Sequence, residues 1–273
     1  MHCAIKRSAF IGIALLLASA AGAQNAAPVM LVRPEPGKPL TSLKLSVIDT
    51  KVRIIGRVAE TSTTMTFSNS HNRVLEGELY FPLPQGATVS GYALDIKGKL
   101  IDGVAIEKNR GREVFEKIVR QGIDPGLVEW AKGNNFKTRV FPIPPKGSRT
   151  IRVSYVSEIT GPLGGQSYRL PLGYKQKVAK FALRVEVVRP AGAPQVTSGP
   201  LANFAFSKWS DGFAAETKLT DATLTKDLVI ALPDAAVSNV MIEKADDGKY
   251  YFAINDMTAV PERKSTAPRP KRV

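Results

Sequence analysis

Apolar and polar residues alternate along several stretches of this chain, and this alternation restricts the fold more than any other feature. In residues 150–159, Ile151, Val153 and Tyr155 share one parity, and polar side chains lie between them. Residues 178–188 repeat the pattern. A period of two is typical of half-buried antiparallel strands. The sequence therefore predicts a mainly β protein: an antiparallel β-sandwich-like domain with one short helix, followed by a second β-rich segment.

The first 23 residues have the anatomy of a signal peptide. Lys6 and Arg7 precede the apolar residues 10–18, and the small residues 21–23 place the cleavage before Gln24. The apolar run is shorter than the roughly 20 residues that a membrane-spanning helix needs. We therefore expect export to the periplasm or the extracellular space. An uncleaved anchor is the alternative, and it is the one membrane contact that we expect.

The cysteine and charge content narrows the chemistry. The single cysteine, Cys3, lies in the predicted signal peptide, so the mature chain would have neither disulfides nor thiol chemistry. The formal net charge is +14, and losing Lys6 and Arg7 would lower it to +12. This charge favours anionic partners such as glycans or lipid headgroups. The alternative is that lysines and arginines keep sheet edges unpaired and the protein soluble.

Both ends of the mature chain are predicted to lack packed structure. Residues 24–41 are rich in proline and are interpreted as a linker. Residues 259–273 are basic and proline-rich without apolar periodicity, which predicts a disordered tail. The basic residues of this tail are a candidate polyanion-binding site: Arg263, Lys264, Arg269, Lys271 and Arg272.

Residues 109–121 interrupt the β pattern. Four apolar residues recur there with helical spacing, Asn109 is a suitable N-cap, and Gly122 is a suitable stop. This predicts a short amphipathic helix packed on the sheet. The apolar residues are Val114, Phe115, Ile118 and Val119.

A cluster of glycine and proline at 161–165 marks a candidate boundary. It would separate a domain at 42–160 from a β-rich segment at 161–258. The later segment either forms a second unit or continues the first sheet. Its predicted strands are 168–172, 178–188, 204–209, 212–218, 228–232 and 250–254.

Three blocks carry a family resemblance. They are Tyr-Phe-Pro-Leu-Pro at 80–84, the residues 101–108, and Phe-Pro-Ile-Pro-Pro-Lys-Gly at 141–147. In this order they resemble the vault protein/inter-alpha-trypsin (VIT) domain over residues 43–159. The resemblance implies an all-β module of extracellular and bacterial envelope proteins without a catalytic centre. Its usual neighbour is a von Willebrand A domain.

The metal motif of that neighbour, D-x-S-x-S after an apolar strand, is not found convincingly. The segment 221–225 has the hydroxyl spacing but follows a polar run, and the segment 256–260 lacks the second hydroxyl. We therefore expect a chain truncated before a von Willebrand A domain, with no metal site.

The residues also give little support for catalysis. His71, the one histidine outside the signal peptide, is interpreted as a solvent-exposed turn residue, because zinc sites need several histidine or cysteine ligands. Glu113 and Glu116 lie among basic residues and are interpreted as ion-paired. The aromatic residues Tyr80, Phe81, Phe136 and Phe141 are assigned to the core, so no nucleic-acid platform is expected.

These features predict a non-enzymatic exported protein that mediates protein assembly or adhesion at the cell envelope, without a cofactor. The partner would be an envelope protein, and no specific nucleic acid is expected. The alternative is a binder of anionic glycan or another polyanion through the basic surface and tail. A carboxylate-dependent hydrolase is a third hypothesis, and it would need two carboxylates that converge in a cleft.

Overall fold

The computed structural model describes residues 27–103, 128–131, 135–159, 165–174, 176–233, 239–244 and 248–255. Strands account for the regular structure of these residues, so the mainly β prediction is confirmed. Among them no helix has the length and apolar character needed to cross a bilayer. The predicted signal peptide, the helix at 109–121 and the basic tail lie outside the described residues.

The largest sheet has eight strands in the order β14-β15-β12-β3-β4-β10-β6-β7. Neighbouring strands are antiparallel except β12 and β3, which run parallel. The bounds are β3 Lys44–Ile55, β4 Val58–Ser68, β6 Thr88–Ile96, β7 Lys99–Asp102, β10 Ser148–Glu158, β12 Val178–Val188, β14 Ser207–Trp209 and β15 Gly212–Ala222.

A second sheet has five strands in the order β2-β1-β5-β9-β8, and two small sheets complete the fold in the orders β11-β16-β13 and β17-β18. The bounds are β1 Val29–Val32, β2 Thr41–Ser42, β5 Leu75–Pro82, β8 Val128–Ala131, β9 Asn135–Ile143, β11 Ser167–Leu170, β13 Gln195–Ser198, β16 Leu228–Ala231, β17 Asn239–Lys244 and β18 Tyr250–Asn255.

The eight-stranded and five-stranded sheets pack face to face around one hydrophobic core. Phe81 of β5 lies 6.1 Å, ring centre to ring centre, from Tyr155 of β10. Tyr92 of β6 lies 5.7 Å from Phe136 of β9. Ring contacts of this kind join the inner faces of the two sheets, as in a sandwich.

The period-two pattern places side chains as the sequence predicts in most long strands. Ile151, Val153 and Tyr155 are buried, and the apolar residues of β12 at 181, 183, 185 and 187 are buried too. The exception is β3. The sequence pattern there places Leu43, Leu45 and Val47 on one face, but a bulge between Leu45 and Val47 moves the buried parity to Ile48 and its successors. Val47 is therefore only half-buried, because the extra residue rotates the strand.

Part of the predicted linker is a strand. Residues 29–32 form β1, which pairs with β5, and Met30 and Val32 are 0% and 1% exposed. The interpretation of residues 24–41 as a linker is therefore wrong for this stretch. Prolines flank the strand but do not interrupt it, and its four residues are too few to show a clear period.

Part of the segment after residue 160 continues the first sheet. Strand β12 pairs in parallel with β3 from Lys180↔Val47 to Val188↔Ile55, and β15 pairs with the other side of β12. Strands β12, β14 and β15 therefore extend the large sheet, whereas the other described strands after residue 160 form the two small sheets. Parallel neighbours need a long crossover, and the chain between β3 and β12 supplies it.

Buried hydroxyl groups join the two parts of the chain. The hydroxyl of Tyr168, on β11, lies 2.7 Å from Oγ1 of Thr61 on β4. Tyr155 and Tyr174 are buried nearby. Burial raises the pKa of each of these three phenols above the usual tyrosine value. The phenols are therefore neutral, which allows them to share hydrogen bonds in an apolar setting.

Candidate binding surfaces

The β17–β18 hairpin carries an exposed apolar face. Ile242 pairs with Phe252, and the two side chains are 70% and 73% exposed. Directly opposite residues of an antiparallel pair project to the same side, as do residues two apart. Val240 and Tyr250 therefore share this side, and they are 57% and 67% exposed. We call these four residues the hairpin face.

The four side chains of the hairpin face are among the most exposed large apolar side chains of the described residues. A two-stranded hairpin alone is only marginally stable in water. Contiguous exposed apolar residues usually mark a surface that another molecule covers. Sequence reasoning found β18 but missed β17, although an Asp-Gly pair at 247–248 is a turn signal that could have revealed the hairpin.

A second surface is an open groove of about 490 Å³ at the end of the large sheet. Its walls are the end of β4 with the following turn, the start of β3, and the loop that leads into β10. Lys44, His71 and Lys146 line it together with serine side chains. His71 is half-buried at the turn, rather than fully exposed as the sequence suggested.

Asn69 connects the two loops of this groove. Its side chain is buried, and Nδ2 donates to the carbonyl oxygens of Arg73 at 3.0 Å and Pro144 at 2.8 Å. Its Oδ1 accepts from the backbone N–H of His71 at 2.9 Å. The backbone N–H of Lys146 donates to the carbonyl of His71. The sequence pattern does not reveal the role of Asn69, because its partners include backbone groups of a distant segment.

The aromatic candidates are divided between core and surface. Phe81 and Phe136 are buried as predicted, whereas Phe141 is 41% exposed, so its assignment to the core is wrong. Phe141 has the opposite parity to Phe136 along β9 and so points away from the core. Tyr80 is half-buried, and the ammonium of Lys137 lies 5.1 Å from its ring centre.

Several carboxylates of the described region form ion pairs. Lys137 Nζ lies 3.0 Å from Oε2 of Glu78, and this hydrogen bond lowers the pKa of Glu78. Arg139 Nε lies 3.0 Å from Oε1 of Glu76 in the same sheet. A lowered pKa suits a permanent ion pair and not a general acid. Glu113 and Glu116 lie outside the described residues.

The segments with metal-motif spacing and the basic tail are the remaining sequence candidates. Asp221 is exposed at the end of β15 and lies 3.8 Å from Lys177 Nζ. The described residues contain no group of three or more histidine, cysteine or carboxylate side chains that could hold a metal ion. The segment 256–260 and the basic residues of the tail, Arg263, Lys264, Arg269, Lys271 and Arg272, lie outside the described residues.

Comparison with known proteins supports the predicted resemblance. Protein mono-ADP-ribosyltransferase PARP4 of Mus musculus is 28% identical over 135 residues, which cover 45% of this chain and 7% of that protein. Inter-alpha-trypsin inhibitor heavy chain H3 of Bos taurus is 25% identical over 158 residues, or 58% of this chain and 18% of that protein. Von Willebrand factor A domain-containing protein 5A of Homo sapiens is 26% identical over 117 residues, which cover 42% of this chain and 15% of that protein.

The chain spans less than a fifth of the length of each of these relatives. The family model that matches is the vault protein inter-alpha-trypsin domain, and it covers residues 45–155. These bounds agree with the stretch 43–159 inferred from the sequence blocks. Strands β3 to β10 lie within or across the matched range. Residues 45–155 of this chain are therefore similar to the VIT domain.

Proposed function

We propose that this chain is a non-enzymatic, exported module that mediates protein–protein assembly or adhesion at the cell envelope. The hairpin face is the observation that carries the proposal. The VIT domain and the von Willebrand factor A domain-containing relative support a protein-interaction role. PARP4 is named for an enzymatic activity, but this chain covers only 7% of it.

The partner that fits the hairpin face is a folded protein with an apolar surface of its own. Covering Ile242 and Phe252 would remove two large side chains from water, and a buried side chain of this size contributes about 1.5–3 kcal/mol. Exposed aromatic anchors of this type are where binding energy concentrates in protein interfaces. An apolar partner would also stabilise a hairpin that has little support of its own.

The test compares two substitutions on opposite sides of one strand. Wild type, Phe252→Glu and Tyr251→Glu would be immobilised and exposed to envelope extract, and any retained protein would be purified for calorimetry. Tyr251 is the matched control, because it is 57% exposed but pairs with Glu243 on the other side of the hairpin. We expect Phe252→Glu to weaken binding by at least about thirtyfold, whereas Tyr251→Glu leaves it nearly unchanged.

Other results would replace this proposal. Equal losses for the two variants would show that the hairpin face is not the interface. Concentration-dependent sedimentation of the pure chain, abolished by Phe252→Glu, would assign the face to a second copy. Binding to vesicles of neutral lipid, lost in the same variant, would assign it to a membrane surface.

Export has a separate test. Cell fractionation followed by intact-mass measurement would locate the protein and define its first residue. We expect an envelope or secreted species that begins at Gln24. A cytoplasmic species that keeps residues 1–23 would contradict the exported role without affecting the hairpin experiment.

A further inference from the structure

The groove at the end of the large sheet is lined by hydrogen-bond donors and cations. Lys44 and Lys146 contribute ammonium groups, and Ser42, Ser70 and Ser148 contribute hydroxyls. Among the described residues that line it, none is a carboxylate. The ion-paired surface of β5 and β9 differs, because each cation there has an acidic partner.

Several of these donors are free to bind a ligand. The side chains of Lys44, Ser42, Ser70 and Ser148 make no hydrogen bond or ion pair with any other described residue. Lys44 and Ser148 are also exposed. In the sheet register, Lys44 lies opposite Ser68, and Ser68 lies opposite Ser148, so the lysine and the serines form one row across three strands.

The opposite wall of the groove is held in place. Lys146 has a left-handed backbone, with φ of 50°, and its Nζ donates to the carbonyl oxygen of Ser70 at 2.6 Å. The hydrogen bonds of Asn69 join the two loops beneath it. A cation fixed in this way loses little conformational freedom when it binds a ligand, which favours affinity.

We propose that this groove binds the phosphate or sulfate ester group of a sugar. Two ammonium groups and several hydroxyls suit an oxyanion with many acceptor atoms. Lysine binds such groups as a point charge, whereas planar carboxylates are better matched by the fork of arginine, which does not line the groove among the described residues. A volume of about 490 Å³ accommodates the ester together with its sugar ring.

The described residues that line this site are not those of the hairpin face. The lysines that carry it lie on β3 and on the loop before β10, within or beside the matched VIT domain. The proposal therefore stands or falls separately from the protein-assembly function. Binding at this groove also differs from general attraction of anions by the net positive charge, because that attraction would act over the whole surface.

The experiment is an NMR titration of the full chain at low ionic strength with a hexose phosphate, a hexose sulfate and the uncharged hexose. We expect both esters to shift the backbone amides of Ser70, Lys146 and Ser148, with the hexose having little effect. Lys44→Gln should weaken ester binding about tenfold, the usual effect of a charged hydrogen bond. The preferred ester identifies whether a phosphorylated or a sulfated sugar is the ligand, and either preference supports the site.

Two controls make the result decisive. Lys51→Gln removes another exposed lysine of β3, outside the groove, and should leave binding within about twofold. A variant with glutamine at all five basic positions of the tail should do the same. Equal losses for Lys44→Gln and Lys51→Gln, loss of binding with the tail variant, or equal binding of the uncharged hexose would each overturn the proposal.

Discussion

The side chain of Asn69 links its own turn to Pro144, which lies 75 positions further along the chain. It stabilises the fold by forming hydrogen bonds with backbone groups of both segments. Replacing it by alanine would leave the carbonyl of Pro144 and the N–H of His71 without their side-chain partner. Buried groups that lose a partner cost about 1–3 kcal/mol each. We therefore expect Asn69→Ala to lower the free energy of unfolding by about 2–4 kcal/mol in urea denaturation.

The control for Asn69 is its neighbour Asn72, which is exposed in the same turn. Asn72→Ala should change the free energy of unfolding by less than about 0.5 kcal/mol, as surface substitutions usually do. A similar effect of the two substitutions would mean that the turn as a whole, and not the buried amide, holds the groove together.

The buried phenols give the protein a defined response to alkaline pH. Burial raises the pKa of Tyr155, Tyr168 and Tyr174 in the folded state, so the folded protein keeps protons that the unfolded chain releases near pH 10. Their contribution to stability is complete below that pH. It decreases as the pH rises further, by about 1.4 kcal/mol per pH unit for each phenol.

Tyr168→Phe tests this account. The variant should lose about 1 kcal/mol at neutral pH, because the hydroxyl contact with Thr61 is removed. Above pH 10 the stability of the variant should decrease less steeply than that of wild type. The reason is that the variant has one buried phenol with a raised pKa fewer than wild type. Parallel curves of unfolding free energy against pH for the two proteins would contradict the role of Tyr168.

Among the elements, β1 is one whose importance the sequence did not reveal. Met30 packs against Gly77 of β5, where an added Cβ would lie 2.6 Å from its sulfur. Met30→Ala should therefore destabilise the protein by about 2–5 kcal/mol, the usual cost of such a truncation in a core. Leu40→Ala, at a residue 50% exposed in the same segment, should cost less than about 0.5 kcal/mol.

Thermal and urea unfolding of the two variants would measure this difference. If neither substitution changed the free energy of unfolding, β1 would contribute nothing to stability. Residues 24–41 would then behave energetically as a linker.

Across the elements, the sequence predicted what depends on local pattern and missed what depends on distant contacts. Residues 181–187 alternate without interruption, and β12 has the predicted bounds of 178–188. The bulge in β3 has no sequence signal, because it depends on how β4 pairs with it. Asn69 resembles an ordinary turn residue until the loop at 144–147 is placed beside it. The hairpin face also depends on tertiary structure, because its exposure among the described residues follows from the placement of the sheets and not from the local pattern.

At the scale of the molecule, the VIT domain and the segment that follows it form a common core. Ile48 and Val52 of β3 lie in the same cluster as Phe181 and Val185 of β12. The matched range ends at residue 155, but the sheet that contains it continues through β12, β15 and β14. A sequence family boundary therefore does not coincide here with a boundary in the hydrogen-bonded structure.

This shared core predicts that a fragment of residues 24–160 does not fold stably. The fragment would expose the edge of β3, which pairs with β12 over nine residues, and it would lose the side chains that cover that part of the core. Losing Phe181, Leu183 and Val185 alone removes about 1.5–3 kcal/mol per side chain. That sum approaches the 5–15 kcal/mol that stabilises a typical domain.

The matched comparison is a fragment of residues 24–233, which keeps β12, β15 and β16 and omits the hairpin. We expect this longer fragment to unfold cooperatively with a midpoint close to that of the full chain, because the hairpin lies in a separate two-stranded sheet. The shorter fragment should scatter light and show no cooperative transition, because an unpaired β3 is a template for association. A cooperative, monomeric 24–160 fragment would show instead that the VIT domain folds alone and that β12 is added to a finished sheet.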